Sequence, residues 1–164
     1  LVNLYVPSTA RWEGPAGPVT IRQETDYPQS EKITIHVNPE KPGVFALRLR
    51  IPEWTAGASV TVNGVSVPMT MDRSAALIQR TWNPGDVVEM ILPQSYRTEP
   101  IDRQHTDTVA VMRGPMMYVG VTPPAAPAMI EHVAEEPPAA AAGFSLVPFY
   151  EVDREGYTTY FTKT

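Results

Sequence analysis

Cysteine is absent from the chain. This excludes disulfides, thiolate metal sites and a cysteine nucleophile among these residues, while leaving the compartment open, since cysteine-free proteins occur in every one. Long apolar runs are missing as well. No stretch approaches the roughly 20 apolar residues that a helix needs to cross a bilayer, so no membrane partner is expected. Positive charge is sparse: 13 Lys and Arg stand against 18 Asp and Glu, for a net charge of −5, and the cations are scattered singly. Without a basic stripe there is nowhere for a phosphate backbone to release its counterions, and nucleic-acid binding is not expected. Helical periodicity is nearly missing too, which argues against an α-helical core.

What the sequence does have is proline and strict alternation. Proline accounts for 18 of the 164 residues, about twice its usual share of roughly 5%, so the chain turns often. Period-2 hydrophobicity places one face of a strand on a core and the other in water. Val19, Ile21 and Gln23 alternate with Thr20, Arg22 and Glu24; Ile33, Ile35 and Val37 alternate with Thr34 and His36. In Phe45 to Ile51, the residues Phe45, Leu47, Leu49 and Ile51 would face inward, with Arg48 and Arg50 outward. Val60 to Val67 carries Asn63-Gly64 at its centre, the pair that supplies the two positive-φ positions of a type I′ hairpin. A second strand–turn–strand unit runs from Ala75 through Asn83-Pro84-Gly85-Asp86 to Leu92, its turn set by Pro and Gly.

Two further apolar runs, Val109 to Met112 and Met116 to Val121, are interrupted by Arg113-Gly114-Pro115. Pro115 removes a ladder donor and Gly114 permits a bend, so a kinked strand is expected there. Residues 122–143 shift to Pro and Ala around Glu135 and Glu136 and read as a surface loop or linker, with room for a brief helical turn over Ala139–Ala142. Phe144 to Tyr150 and Gly156 to Phe161 look extended, with aromatics that dock on the main body. The first residues, Leu1 to Val6, form an apolar run that reads as a strand entered partway along, hence as a piece of a longer protein.

About nine or ten short strands separated by Pro, Gly, Asn and Asp are the pattern of an antiparallel β-sandwich. The expected fold class is therefore all-β and jelly-roll-like, with a sandwich over residues 1–121, a Pro/Ala-rich loop or linker over 122–143 and an extended segment over 144–164 docking on the sandwich.

Chemistry-bearing patterns are few. His36, His105 and His132 stand far apart without the short ligand spacings of a zinc site, and no Asp-rich calcium loop is present, so neither a metal nor another cofactor is expected. There is no Gly-x-Ser-x-Gly elbow, and Gly14, Gly17, Gly57 and Gly64 sit in turns and not in a phosphate-cradling loop. Glu24 and Asp26 would lie on one strand face, and a pair of glycosidic carboxylates must flank one bond, but a solvated strand residue and a turn cap explain both. No catalytic residue is assigned. Trp12, Tyr27, Trp54 and Trp82 lie at strand ends or turns, where sugar-binding modules place stacking rings and where sandwiches also place end plugs. They are the candidate ligand-contacting residues.

Longer strings carry more information than these periodicities. Glu24-Thr25-Asp26-Tyr27-Pro28, Leu49-Arg50-Ile51-Pro52-Glu53-Trp54, Val62-Asn63-Gly64, Arg80-Thr81-Trp82-Asn83-Pro84-Gly85-Asp86 and Val109-Ala110-Val111-Met112-Arg113-Gly114-Pro115 occur in this order. Together they resemble the region that follows the catalytic barrel in family-127 glycoside hydrolases, the bacterial β-L-arabinofuranosidase family. The resemblance runs from about Leu1 to Val121; the tail, with Pro148-Phe149-Tyr150, Tyr157, Tyr160 and Phe161, is similar to a closing segment of some relatives. It implies a parent chain whose upstream (α/α)6 barrel carries a glutamate acid/base, a cysteine nucleophile and a cysteine-bound zinc, none of which maps onto these residues. The expected role is that of a noncatalytic accessory domain packing against that barrel. The alternative is a carbohydrate-binding module that holds an oligosaccharide on surface aromatics, and a hydrolase using Glu24 and Asp26 is a distant third.

Overall fold

The computed structural model describes residues 1–14, 16–121, 129–130, 145–154 and 156–163. His132, Glu135, Glu136 and the Ala139–Ala142 stretch lie outside the described residues. The chain forms two compact units, Leu1–Pro93 and Gln94–Thr164. Among the described residues there is no α-helix.

The first unit is an antiparallel β-sandwich. Its strands are β1 (Ser8–Gly14), β2 (Gly17–Thr25), β3 (Lys32–Pro39), β4 (Gly43–Arg50), β5 (Ser59–Val62), β6 (Val65–Ser66), β7 (Thr70–Asp72), β8 (Ala75–Trp82) and β9 (Asp86–Ile91). A six-stranded sheet has the order β1-β2-β3-β9-β5-β6, and a three-stranded sheet the order β4-β8-β7. The alternation read from the sequence places the core. Ile21, Ile33, Ile35 and Val37, and Val88 and Met90 face Leu47, Leu49, Ile78 and Trp82 from the smaller sheet. Each such side chain, taken fully out of water, contributes about 1.5–3 kcal/mol to burial. The opposite face of the large sheet carries Thr20, Arg22, Glu24, Thr34, His36 and Glu89, in register across β2, β3 and β9.

Both turns expected in this unit form. Asn63 and Gly64 have φ of 52° and 76° and connect β5 to β6, as a type I′ turn requires. The turn after Trp82 has Gly85 at φ 87°. The amino-terminal run differs from expectation. Leu1–Val6 is not a regular strand: it makes one parallel bridge, Val2 to Leu49, and the regular strand begins at Ser8. Val2 and Tyr5 enter the core while Leu1, Leu4 and Val6 stay exposed, a spacing of three that strict alternation cannot supply.

The second unit contains β10 (Tyr96–Pro100), β11 (Thr108–Arg113), β12 (Met116–Val121), β13 (Met129–Ile130), β14 (Ser145–Pro148), β15 (Tyr157–Thr158) and β16 (Phe161–Lys163), with a 3-10 turn at Phe149–Glu151. The path β13-β16-β11-β12-β14 runs through its sheet, with β10 added beside β11 and β15 beside β12. Val109, Val111, Met116, Tyr118 and Phe161 form its core. The sequence reading carried the sandwich through to Val121, whereas β11 and β12 pair with strands of this second unit.

Arg113-Gly114-Pro115 is also not a kink in one strand. Arg113 pairs with Met116 and Val111 with Tyr118, so the chain reverses there in a tight hairpin. Gly114 at φ 54° occupies the first central position, where a mirror-image turn requires glycine. Among the described tail aromatics only Phe161 is fully buried; Phe149, Tyr150, Tyr157 and Tyr160 remain about half exposed.

Candidate functional site

The four candidate aromatics do not form a shared platform. Trp82, the last residue of β8, is fully buried; its indole N–H donates to the Phe45 carbonyl at 3.0 Å and its ring stacks on Phe45 with centroids 5.8 Å apart. No face of this ring is open to a ligand, which corrects the expectation for Trp82: it closes the sandwich interior. Trp54 and Tyr27 are half-buried and pack on the same core, Tyr27 edge-on to Tyr5 at 5.8 Å. Burial pushes both tyrosine hydroxyls above their ordinary range, and the Tyr5 hydroxyl donates to the Arg50 carbonyl at 2.6 Å. Trp12, on the outermost strand β1, is 39% exposed and meets Phe45 edge-on at 6.2 Å. Of the four rings it is the most open to solvent.

The two carboxylates have different local partners. Glu24 lies on the polar face of β2, ion-paired to Arg22 at 2.5 Å and hydrogen-bonded to the His36 Nε2 at 2.9 Å. The bond from His36 holds its carboxyl below the usual range, with Arg22 adding to the effect. A glycosidic general acid needs the opposite shift. Asp26 follows the end of β2, and its carbonyl accepts the amides of Gln29 and Ser30 at 2.8 and 3.2 Å, closing the turn. Both residues border a shallow depression with Pro7, Ser8 and Thr9. His105 lies in a separate turn that Asp102 caps by accepting the Gln104 and His105 amides; its Nδ1 is 2.9 Å from the Asp102 carboxyl, which it helps hold below the usual range.

One buried polar group was not singled out by sequence reasoning. Asp86 is only 5% exposed. Its carboxylate accepts from the Asn63 side-chain amide at 2.8 Å and from the Asn83 backbone at 2.9 Å. Asn63 in turn accepts from the Val87 amide, and the Asn38 side chain accepts from the Gly85 amide, each at 2.8 Å. The strings Val62-Asn63-Gly64 and Asn83-Pro84-Gly85-Asp86 are thus one clasp that ties two hairpin turns together. Their polar side chains were the available signal, but each turn explains its own residues locally, and only the pairing of β5 with β9 brings them together.

Among the described residues, no three His, Cys, Asp or Glu side chains converge on a point that could hold a metal. A cysteine-bound zinc, as the resemblance implies for an upstream barrel, has no cysteine ligand to draw on here.

Fold and motif geometry together define an antiparallel β-sandwich domain whose distinctive residues build turns and core. Comparison with known proteins specifies it further. The family model described as "Beta-L-arabinofuranosidase, GH127 middle domain" matches residues 1–94, and the chain belongs to this family. The structure is similar to that of a GH127 β-L-arabinofuranosidase from Geobacillus stearothermophilus T6, with TM-score 0.84 and 26% identity over 99% of this chain and 33% of that one. It is similar to a glycoside hydrolase at TM-score 0.77 and 25% identity, over 99% of this chain and 35% of that one. A GH127 β-arabinofuranosidase matches in fold at TM-score 0.78 and 23% identity, over 99% and 34% of the two chains. The chain thus spans about a third of the length of these solved relatives. No curated protein matches it.

Proposed function

We propose that the chain is a noncatalytic β-sandwich region of a larger glycoside hydrolase similar to β-L-arabinofuranosidases, packing against an (α/α)6 catalytic barrel of the same protein and forming one wall of its substrate cleft. Membership of the GH127 middle-domain family supports the accessory role. The observation that carries the packing reading is the amino-terminal segment. Val2 and Tyr5 anchor it in the core, while Leu1, Leu4 and Val6 are 74%, 66% and 50% exposed. A fixed apolar strip of this kind is what a soluble domain keeps for a partner.

The test has two parts. The chain alone is assayed on a chromogenic β-L-arabinofuranoside, where no turnover is expected. Its association with a separately produced GH127 barrel is then measured by calorimetry, with Leu4→Lys and Val6→Lys expected to weaken it at least tenfold. Turnover by the chain itself, or binding indifferent to both substitutions, overturns the proposal.

A second reading, carbohydrate binding, is favoured by one observation, the exposed indole of Trp12 on an outer strand. A saturable fluorescence change with arabinose-containing oligosaccharides, abolished by Trp12→Ala, would support it.

A further inference from the structure

Strand β8 is paired along its whole length on one side and along less than half of it on the other. β4 runs beside all of Ala75–Trp82, whereas β7 meets only Ala75, Ala76 and Leu77. Ile51 donates to the Ser74 carbonyl, so the even-numbered residues of β8 direct their backbone groups to β4 and the odd-numbered ones face away. Beyond Leu77 those are Gln79 and Thr81. Among the described residues no strand lies beside them, and a groove opens there, lined also by Val67 and Pro68.

Arg80 lines the same groove. It is half-buried, with its guanidinium carbon 5.4 Å from the centre of the Trp82 ring and its Nε donating to the Thr81 carbonyl at 3.1 Å. The ring and the carbonyl together hold the head group in place. Arg22, Lys32 and Arg48 of the same unit are each paired with a carboxylate, but no ion pair among the described residues involves Arg80. None of the residues lining the groove is acidic. A guanidinium anchored at Nε keeps its two terminal nitrogens side by side, a fork that receives a carboxylate through two parallel hydrogen bonds. Thr70, Gln79 and Thr81 add hydroxyl and amide groups around this fork.

We infer that the groove beside the open half of β8 binds a carboxylate-bearing sugar, a uronate unit of an oligosaccharide. The Arg80 fork takes the carboxylate, Gln79 and Thr81 offer backbone and side-chain groups to ring hydroxyls, and Val67 and Pro68 lie against an apolar ring face. The carboxylate follows from charge complementarity: an anchored cation stands in a groove without an acid. A sugar is favoured over an acidic peptide because only two residues offer free backbone groups, too short an edge for an added strand to hold. That choice also rests on the chain's membership of a glycoside hydrolase family. Neither packing against a barrel nor the Trp12 surface enters into this binding, so it succeeds or fails independently of both.

Calorimetric titration of the full chain with trigalacturonic acid tests this, set against the neutral galactose trimer of the same linkage and against triglutamate. The uronate trimer should bind saturably and about tenfold or more tighter than either comparison ligand. In amide NMR spectra the shifts on binding should centre on Gln79 and Thr81. Arg80→Gln should weaken binding by about tenfold or more, and Arg80→Lys, which keeps the charge but loses the fork, by less. Because the Arg80 stem also covers Trp82, a second variant leaves it in place. Thr81→Glu, at an exposed position, sets a carboxylate beside the fork and should weaken the uronate by a similar factor with far-UV circular dichroism unchanged. Arg11→Gln, which removes the same charge from the exposed face of β1, should bind like the wild type. No saturable binding at millimolar uronate, equal binding of the neutral trimer, triglutamate binding as tightly, shifts centred elsewhere, or wild-type affinity in Thr81→Glu would each overturn the proposal.

Discussion

At the scale of single residues, Asp86 shows how a charged side chain can sit inside a β-sandwich. A carboxylate at 5% exposure is costly unless its lone pairs are occupied, and here the Asn63 amide and the Asn83 backbone occupy them. Removing it leaves those donors without their acceptor. Asp86→Ala is expected to destabilise the chain by about 2–4 kcal/mol, and Asp86→Asn by less, because the amide keeps one accepting oxygen. Urea unfolding checks this: equal midpoints for Asp86→Ala and wild type would show the clasp to be energetically idle. Trp82 teaches the complementary lesson. A tryptophan next to a turn is as compatible with a binding platform as with a plug, and the indole N–H bonded to the Phe45 carbonyl decides for the plug.

At the scale of elements, two glycines at positive φ stand in contrasting surroundings. Gly64 has φ 76° and open space where a side chain would project, so Gly64→Ala is expected to cost only its backbone strain, about 1–2 kcal/mol. Gly114 combines φ 54° with the Gln94 side chain 2.8 Å from the site of an added methyl group. Gly114→Ala should therefore cost more than Gly64→Ala, by about 1 kcal/mol or more, since the buried glutamine must also move. Parallel denaturation of the two variants measures the difference, and the reverse order would refute the account. Strand legibility followed the same logic. Strands with one buried face, such as β3 and β9, were plain in the alternation, whereas β1 buries neither face and β10 is only half-buried, so neither imprinted a pattern on its residues.

At the scale of the molecule, the described residues form two core clusters. Among them, the cluster around Trp82, Ile33 and Leu49 draws on residues before Gln94, and the cluster around Phe161 and Val111 on residues after Pro93. The first unit also coincides closely with the matched family region, residues 1–94. A fragment ending at Pro93 is accordingly expected to fold alone and to unfold cooperatively, with near-native far-UV circular dichroism. A fragment without a cooperative transition would mean that the first core depends on residues beyond Pro93.

The sequence by itself determined the all-β class, the two hairpin turns of the first unit and the inward-facing residues of its central strands. Each of these depends on neighbours in the chain: alternation needs only a pleat with one wet face, and Asn63-Gly64 needs only its own φ angles. The family resemblance was legible for the same reason, because its strings sit in those turns and strands. Tertiary structure alone decided the rest. Whether Trp12 or Trp82 is open, whether Asp86 meets Asn63, and where the first core ends all depend on pairings between residues distant in sequence. Those pairings follow from how two sheets exclude water together, a property that no local pattern contains.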